Sequence, residues 1–174
     1  MNLQELVKTF ESIRDIPYSI PLAYGETDHC CSGKNKLLKE YLESQGYEAR
    51  FRVCSFRWDS IKLPKEVTAV EHNNDSTHAY LEVKIENEWK VVDATWDSKI
   101  CSVFPIEKWD GISATGIAVK AIEIFSPEKS AEIMTDDSRE TIEQDLKING
   151  EFYRAFNTWL ESLRENTIEM HFKK

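Results

Sequence analysis

The chain has no excess of positive charge. Its 22 Lys and Arg stand against 31 Asp and Glu, a formal net charge of −9, so nothing resembles the basic footprint that draws phosphate backbones or anionic lipid. Nucleic acid is therefore not an expected partner. No apolar run approaches the roughly 18 residues of a membrane span. The opening MNLQELVKTFESIRD mixes charged and apolar residues at helical spacing and lacks the continuous apolar stretch of a signal peptide. The expected setting is cytoplasmic, with no membrane contact.

Cysteine is scarce: Cys30, Cys31, Cys54 and Cys101, none in a C-x-x-C pair. Without an export signal these thiols are expected to stay reduced. His29, Cys30, Cys31, His72 and His78 crowd one part of the chain. They show no C-x₂₋₄-C or H-x₃₋₅-H spacing, and adjacent residues seldom ligate one ion together, so no metal is assigned. No loop is dense in acidic ligands of the EF-hand type, no cofactor is implied, and repeats and low-complexity tracts are missing. What is present is 174 residues, 41% of them apolar, enough to bury about 70% of the unfolded surface in one core. A single domain over 1–174 is expected.

Leu3, Leu6, Val7 and Phe10 recur at helical steps and predict a helix over 2–13. IPYSIPLAYG follows as an irregular connection. A second helix is predicted over 31–45, with Leu37, Leu38, Tyr41 and Leu42 as its apolar stripe and Gly46 as its C-terminal cap. The period then shortens. Residues 49–58 read as a strand, 59–77 as a long loop, HAYLEVKI and WKVVDATW as a hairpin, and 115–125 as a further strand. After Ser126-Pro127 three helices are expected, PEKSAEIM, SRETIEQDLK and GEFYRAFNTWLESLREN, with a break at Asn149-Gly150 and the group covering the sheet.

A thiol at a helix N-terminus is a reactive arrangement, because unpaired N–H groups and the macrodipole favour the thiolate. Cys30 and Cys31 both stand there, about 50° to either side of the stripe, so the helical wheel does not choose between them. Acyl chemistry also needs an imidazole to hold and return a proton. His171 lies in the C-terminal tail, His29 beside the thiols, and His72 in the long loop. His78 opens a strand, a rigid support. Asp93, between Val92 and Ala94 on the partner strand, is the carboxylate to orient it. A two-residue turn at Glu86-Asn87 sets Thr95 opposite His78 and Asp93 opposite Tyr80, so His78 and Asp93 share a face, about 7–8 Å apart as diagonal neighbours. A three-residue loop would separate them.

These residues resemble a known family. CSGKNKLLKEYLESQGYEAR from Cys31, HAYLEV from His78 and WKVVDATWD through Asp93 are similar to the core of the transglutaminase-like superfamily, relatives of papain-fold cysteine proteases. In that family a nucleophilic cysteine opens a helix, a Leu-Leu pair follows six and seven residues later, and a Gly-x-x-Ala-Arg segment begins about fifteen residues on. Counting from Cys31 reaches Leu37, Leu38, Gly46, Ala49 and Arg50; counting from Cys30 shifts every match by one.

The resemblance covers 31–97. It implies an α+β fold with an antiparallel sheet packed against the helix that Cys31 opens, a catalytic core of about 22–125 and a helical cover of about 127–170. It also implies Cys31 as nucleophile, His78 as general base and acid, and Asp93 as the residue orienting the ring. The activity implied is peptidase, amidase or transglutaminase-type transfer on a protein or peptide through an acyl-thioester. The oligomeric state is left open.

The papain-like pattern carries an oxyanion side chain about six residues before the cysteine, where this chain has Gly25. The Cys31 N–H then serves, with Tyr24 or Thr27 as second donor. Trp96 is expected to wall the site, Asp97 to compete with Asp93, and Cys30, Cys54 and Cys101 to be inert packing residues. Trp58 and Trp109 read as core fillers, with substrate contact as the other reading. The alternative to an enzyme is a binding module that uses the same cleft to hold a peptide or partner protein, which the bare position 25 also fits.

Overall fold

The computed structural model describes the backbone of residues 2–172 and the side chains of residues 2–166; His171 lies outside the described side chains. Helix α1 (Leu3–Arg14) starts where the Asn2 side chain accepts the Gln4 N–H, and it buries Leu6, Phe10 and Arg14. Helix α2 (Cys31–Ser44) ends in a left-handed cap. Gly46 has φ +86°, its N–H reaches Glu43 O at 3.0 Å, and the Tyr47 N–H reaches Leu42 O at 3.0 Å. The inner face of α2 is only partly the expected one: Leu38 and Leu42 are buried, but Leu37 faces solvent, and Lys34 and Asn35 are fully buried in its place.

Four antiparallel strands form one sheet in the order β3-β2-β1-β4: β1 (Ala49–Arg57), β2 (Asp75–Ile85), β3 (Glu88–Val92) and β4 (Glu123–Ile124). Glu86 (φ 51°) and Asn87 (φ 66°) make the two-residue turn, both left-handed as a tight hairpin requires. Ile85 pairs with Glu88 and Leu81 with Val92, the register that puts His78 and Asp93 on one face. β1 pairs with β2 through Cys54 opposite His78. Leu81, Val83 and Ile85 pack with Leu6, Phe10, Leu38, Leu42 and Trp109 between sheet and helices. A second, aromatic core gathers Tyr18, Phe56, Trp58, Trp96, Phe104, Phe152 and Phe156.

Several boundaries differ from expectation, each for a local reason. β3 stops at Val92 because the next donors turn to side chains: Asp93 N to Thr115 Oγ1, Ala94 N to Asn35 Oδ1 and Thr95 N to Asp93 Oδ1. His78 is the fourth residue of β2 rather than its first. The 59–77 loop is shortened by that strand and by α3 (Lys65–Thr68), which buries Val67.

Residues 115–125 are not a strand throughout. The Thr115 N–H bonds Val91 O at one sheet edge and the Ile122 N–H bonds Ser55 O near the other, so the segment crosses the sheet instead of extending it. Its apolar alternation signals contacts along that crossing.

The Asn149-Gly150 break is also overturned. After α4 (Pro127–Thr135), α5 (Arg139–Phe172) runs unbroken through it. The Asn149 side chain is tied to the Asn73 N–H and to Asp145, at 2.8 Å each, so it does not compete for helix backbone. Phe152, Phe156 and Leu160 bury fully within the next three turns, which outweighs the ~1 kcal/mol that a helical glycine costs. Of these two helices α4 lies directly on β1, with Ser130 Oγ accepting the Val53 N–H at 3.0 Å. α5 packs on α3 and the turn at Ser98–Ile100.

Candidate active site

Cys31 occupies the first position of α2, where a backbone N–H has no intrahelical acceptor. The turn before it is held by Asp28, whose carboxylate accepts the Cys30 N–H at 2.7 Å and the Ser32 hydroxyl at 3.0 Å. Gly33 makes this approach possible: a Cβ there would lie 1.9 Å from Asp28 O and 2.7 Å from Asp28 Cγ. Ala in place of Gly ordinarily favours a helix by about 1 kcal/mol. Here Gly33→Ala is expected to destabilise by at least about 1–3 kcal/mol, because backbone has to move. A lowered thermal midpoint, with slower alkylation of Cys31, checks this; a raised midpoint contradicts it.

His78, 2% exposed, sends Nε2 to Asp93 Oδ2 at 2.7 Å, and its ring lies parallel to Tyr80 at 6.2 Å. Nδ1 is the ring nitrogen that Asp93 does not hold, and the Cys31 sulfur interacts with the ring. Asp93 is fully buried, and both its oxygens are doubly engaged. Oδ2 also takes the Ala118 N–H at 2.8 Å, and Oδ1 takes Thr95 N at 3.1 Å and Thr95 Oγ1 at 2.5 Å. Imidazole and carboxylate are thus hydrogen-bonded, and the Cys31 sulfur interacts with the same imidazole.

Two further α2 residues lock that arrangement in place. Asn35, one turn after Cys31, donates to Cys31 O at 2.9 Å and Ala79 O at 3.1 Å and accepts from Ala94 N at 3.3 Å, joining the three segments that carry Cys31, His78 and Asp93. Lys34 Nζ, fully buried, donates to Arg14 O at 2.5 Å, Ile16 O at 2.9 Å and Thr95 O at 2.6 Å, so all three of its protons have acceptors. Burial pulls its pKa down to about 8. Periodicity marks neither residue, since both are polar on an inward face; their spacing of three and four from Cys31 was the only signal.

The electrostatics follow from these contacts. A hydrogen bond from Cys30 holds the Cys31 thiol well below the ordinary thiol range; burial opposes this, and the His78 contacts and the Ala79 N–H reinforce it. Burial alone would lower His78, but the Asp93 charge and hydrogen bond, together with Cys31, raise it to about 10. The favoured state is a thiolate beside an imidazolium. Cys30 moves the opposite way: its hydrogen bond to Cys31, then burial, keeps it a thiol. Its sulfur also lies 3.2 Å from Ser32 Oγ.

A cleft of about 670 Å³ opens over Cys30, Cys31 and His78, with Trp58 and Trp96 among its walls. Six carboxylates line it, on Glu26, Asp28, Asp75, Asp136, Asp137 and Asp145, against one lysine, Lys36. Trp96 lines the cleft, its Nε1–H on Ala118 O at 2.8 Å. Tyr24 and Thr27 are not brought to the cleft: both are exposed, and the Tyr24 ring lies under the Arg139 guanidinium.

Asp97 does not compete for His78, because it takes the Tyr18 N–H at 3.0 Å and Arg164 at 2.8 Å. Trp109 sits away from the cleft against Phe10. His72 is stacked on Phe152 at 3.9 Å, and His29 pairs through its backbone with Ser19. Cys54 is buried, and burial pushes it up to about 12. Cys101 is exposed rather than packed, and Cys30 packs against the aromatic core as expected while also lining the cleft.

Among the described residues no group of three or more His, Cys, Asp or Glu is arranged to hold a metal ion, and no helix is long and apolar enough to cross a membrane. Comparison with protein-family models, with curated proteins and with solved structures finds no match.

Proposed function

We propose that this protein is a cysteine-dependent acyl enzyme of the papain-like and transglutaminase-like type, acting on amide or peptide bonds of a protein or peptide. The observation that carries the reading is the grouping of Cys31, His78 and Asp93, sited at a helix N-terminus and open to a cleft. In this reading the Cys31 thiolate attacks the substrate carbonyl carbon, and the negative charge moves to the carbonyl oxygen, which the Cys31 N–H faces. The carbonyl re-forms as the C–N bond breaks, and His78 gives its Nδ1 proton to the departing amine, leaving an acyl-thioester. His78, now neutral, takes a proton from water or an incoming amine as that nucleophile releases the acyl group, and the thiolate and imidazolium return. Asp93 holds the ring and balances its charge throughout. The carboxylates around the cleft favour substrates or acyl acceptors that carry a cation.

Alkylation tests the reading. Cys31 is lowered and His78 raised to about 10, so the ion pair fills the interval between the two: acidification ends it by protonating the sulfur, and alkali ends it as pH rises through about 10. At pH 6 iodoacetamide is expected to modify Cys31 at least about tenfold faster than Cys30, Cys54 or the exposed Cys101, with acyl transfer declining above about pH 10. Four thiols reacting alike at pH 6 would point instead to the binding module.

A further inference from the structure

The cleft holds a buried donor that this reaction has not yet used. Tyr18 is 5% exposed and lines the cleft beside Cys30 and Cys31. Its ring is fixed against Trp96 at 4.6 Å and edge-on to Phe156 at 6.2 Å. Its backbone is pinned on both sides, the N–H to Asp97 Oδ2 at 3.0 Å and the carbonyl to Arg164 at 2.9 Å. The ring position is thus set by groups remote from the thiol.

The phenolic oxygen has no hydrogen-bond partner among the described residues. No sealed side-chain oxygen or nitrogen among them lacks a partner either, so this oxygen opens into the cleft. Burial first, then the charges of Cys30, Cys31 and Asp28, push the Tyr18 pKa well above the ordinary tyrosine range; the group keeps its proton and is available as a donor at working pH. Most other cleft donors are engaged or less enclosed. Ser32 donates to Asp28, the Trp96 indole to Ala118 O, and Tyr153 is tied to Asp145 and Asn149, while Ser76 and Thr77 are less buried. The Trp58 indole N–H, on a ring 5% exposed, also lines the cleft without a hydrogen-bond partner among the described residues, but that ring packs into the Phe56, Phe152 and Phe156 cluster, whereas Tyr18 interacts with the Cys31 charge.

We propose that the Tyr18 hydroxyl is the second oxyanion donor, binding the substrate carbonyl oxygen together with the Cys31 N–H. This rests on the acyl-enzyme reading above. It supplies from the 15–20 segment the donor that Gly25 cannot, and it gives the mechanism a catalytic residue thirteen positions before the nucleophile. A preorganised donor of this kind acts on charge that develops at the carbonyl oxygen only as the sulfur attacks.

The test compares two reactions of one sulfur in the full chain. p-Nitrophenyl acetate acylates Cys31 through a tetrahedral oxyanion; iodoacetamide alkylates it by displacement and forms none. Tyr18→Phe is expected to slow the p-nitrophenol burst on the order of 100-fold, after subtraction of the Cys31→Ala background, while alkylation stays within about twofold of wild type. An unchanged burst, or burst and alkylation falling together, overturns the role of Tyr18. A wild type that alkylates rapidly but gives no burst overturns the acyl-enzyme reading itself, and Tyr18 with it.

Should Tyr18→Phe not fold, 3-fluorotyrosine at position 18 keeps the shape and makes the phenol more acidic. A more acidic phenol is a stronger hydrogen-bond donor, so at pH 7 the burst is expected to rise relative to alkylation, and an unchanged ratio overturns the proposal.

Discussion

Cys31→Ala is expected to abolish the acylation burst and all rapid alkylation at pH 6, whereas Cys30→Ala keeps both at reduced rate. The two sulfurs are neighbours, but they stand in opposite electrostatic positions. Cys31 receives hydrogen bonds from Cys30, His78 and the Ala79 N–H, and it heads the helix whose dipole favours an anion. Cys30 has Ser32, Cys31 and the Asp28 carboxylate about it, and it keeps its own proton, while the proton that Cys31 gives up sits on His78. Removing Cys31 removes the atom that forms the thioester, so the loss should reach at least about 10⁴-fold.

Removing Cys30 takes away the strongest single influence lowering the Cys31 pKa. Its expected signature is therefore a rate deficit that is large at pH 6 and closes as pH rises. Burst kinetics and pH-resolved alkylation of the two variants measure this directly. Full activity in Cys31→Ala would end the assignment, and loss confined to Cys30→Ala would move the nucleophile by one residue.

Asp93→Asn is expected to damage stability and rate together. Each Asp93 oxygen accepts two donors: His78 Nε2 and the Ala118 N–H on one, the Thr95 N–H and hydroxyl on the other. Whichever way an Asn side chain is turned, its NH₂ meets a backbone N–H that has no other acceptor in reach. An unsatisfied buried donor costs about 1–3 kcal/mol, which should appear in the urea midpoint. The chemical consequence is larger. Asp93 supplies the charge and hydrogen bond that lift His78 to about 10, and without them burial favours a neutral ring and the thiolate loses its counter-charge. Acylation should fall by about 10³–10⁴-fold, the scale of losing the orienting carboxylate in a triad. A variant that is destabilised yet acylates at the wild-type rate would leave Asp93 as a structural carboxylate only.

Much of the site could be read from residue order, because its parts sit on local, regular elements. Cys31 precedes a run of helix-compatible residues closed by Gly46, and the alternation in HAYLEVKI and WKVV fixes two strands whose shared face depends only on the turn length. Glu86-Asn87 forms that turn with both residues left-handed, so counting residues was enough to place Asp93 beside His78. Counting failed where polar residues turn inward. Lys34 and Asn35 break the apolar stripe, and their burial is tolerable only because Arg14, Ile16, Ala79 and Thr95 present carbonyls to them. It failed again at 115–125, where apolar alternation served a crossing segment, and at Gly150, where packing by Phe152 and Phe156 carried the helix through a residue that favours a break.

The sequence alone determined the helix that begins at Cys31, the hairpin and its register, and the acidic, apolar-run-free character of the chain, since these depend on short-range periodicity and composition. Only the tertiary structure decided that Tyr18 lines the same cleft as Cys31, that Cys30 acts on the Cys31 thiol, and that Asp97 belongs to Arg164 and not to His78. Those outcomes depend on which buried donors and acceptors meet across distant segments, and in a water-poor interior each such group has to find a partner from whatever part of the chain the packing brings near.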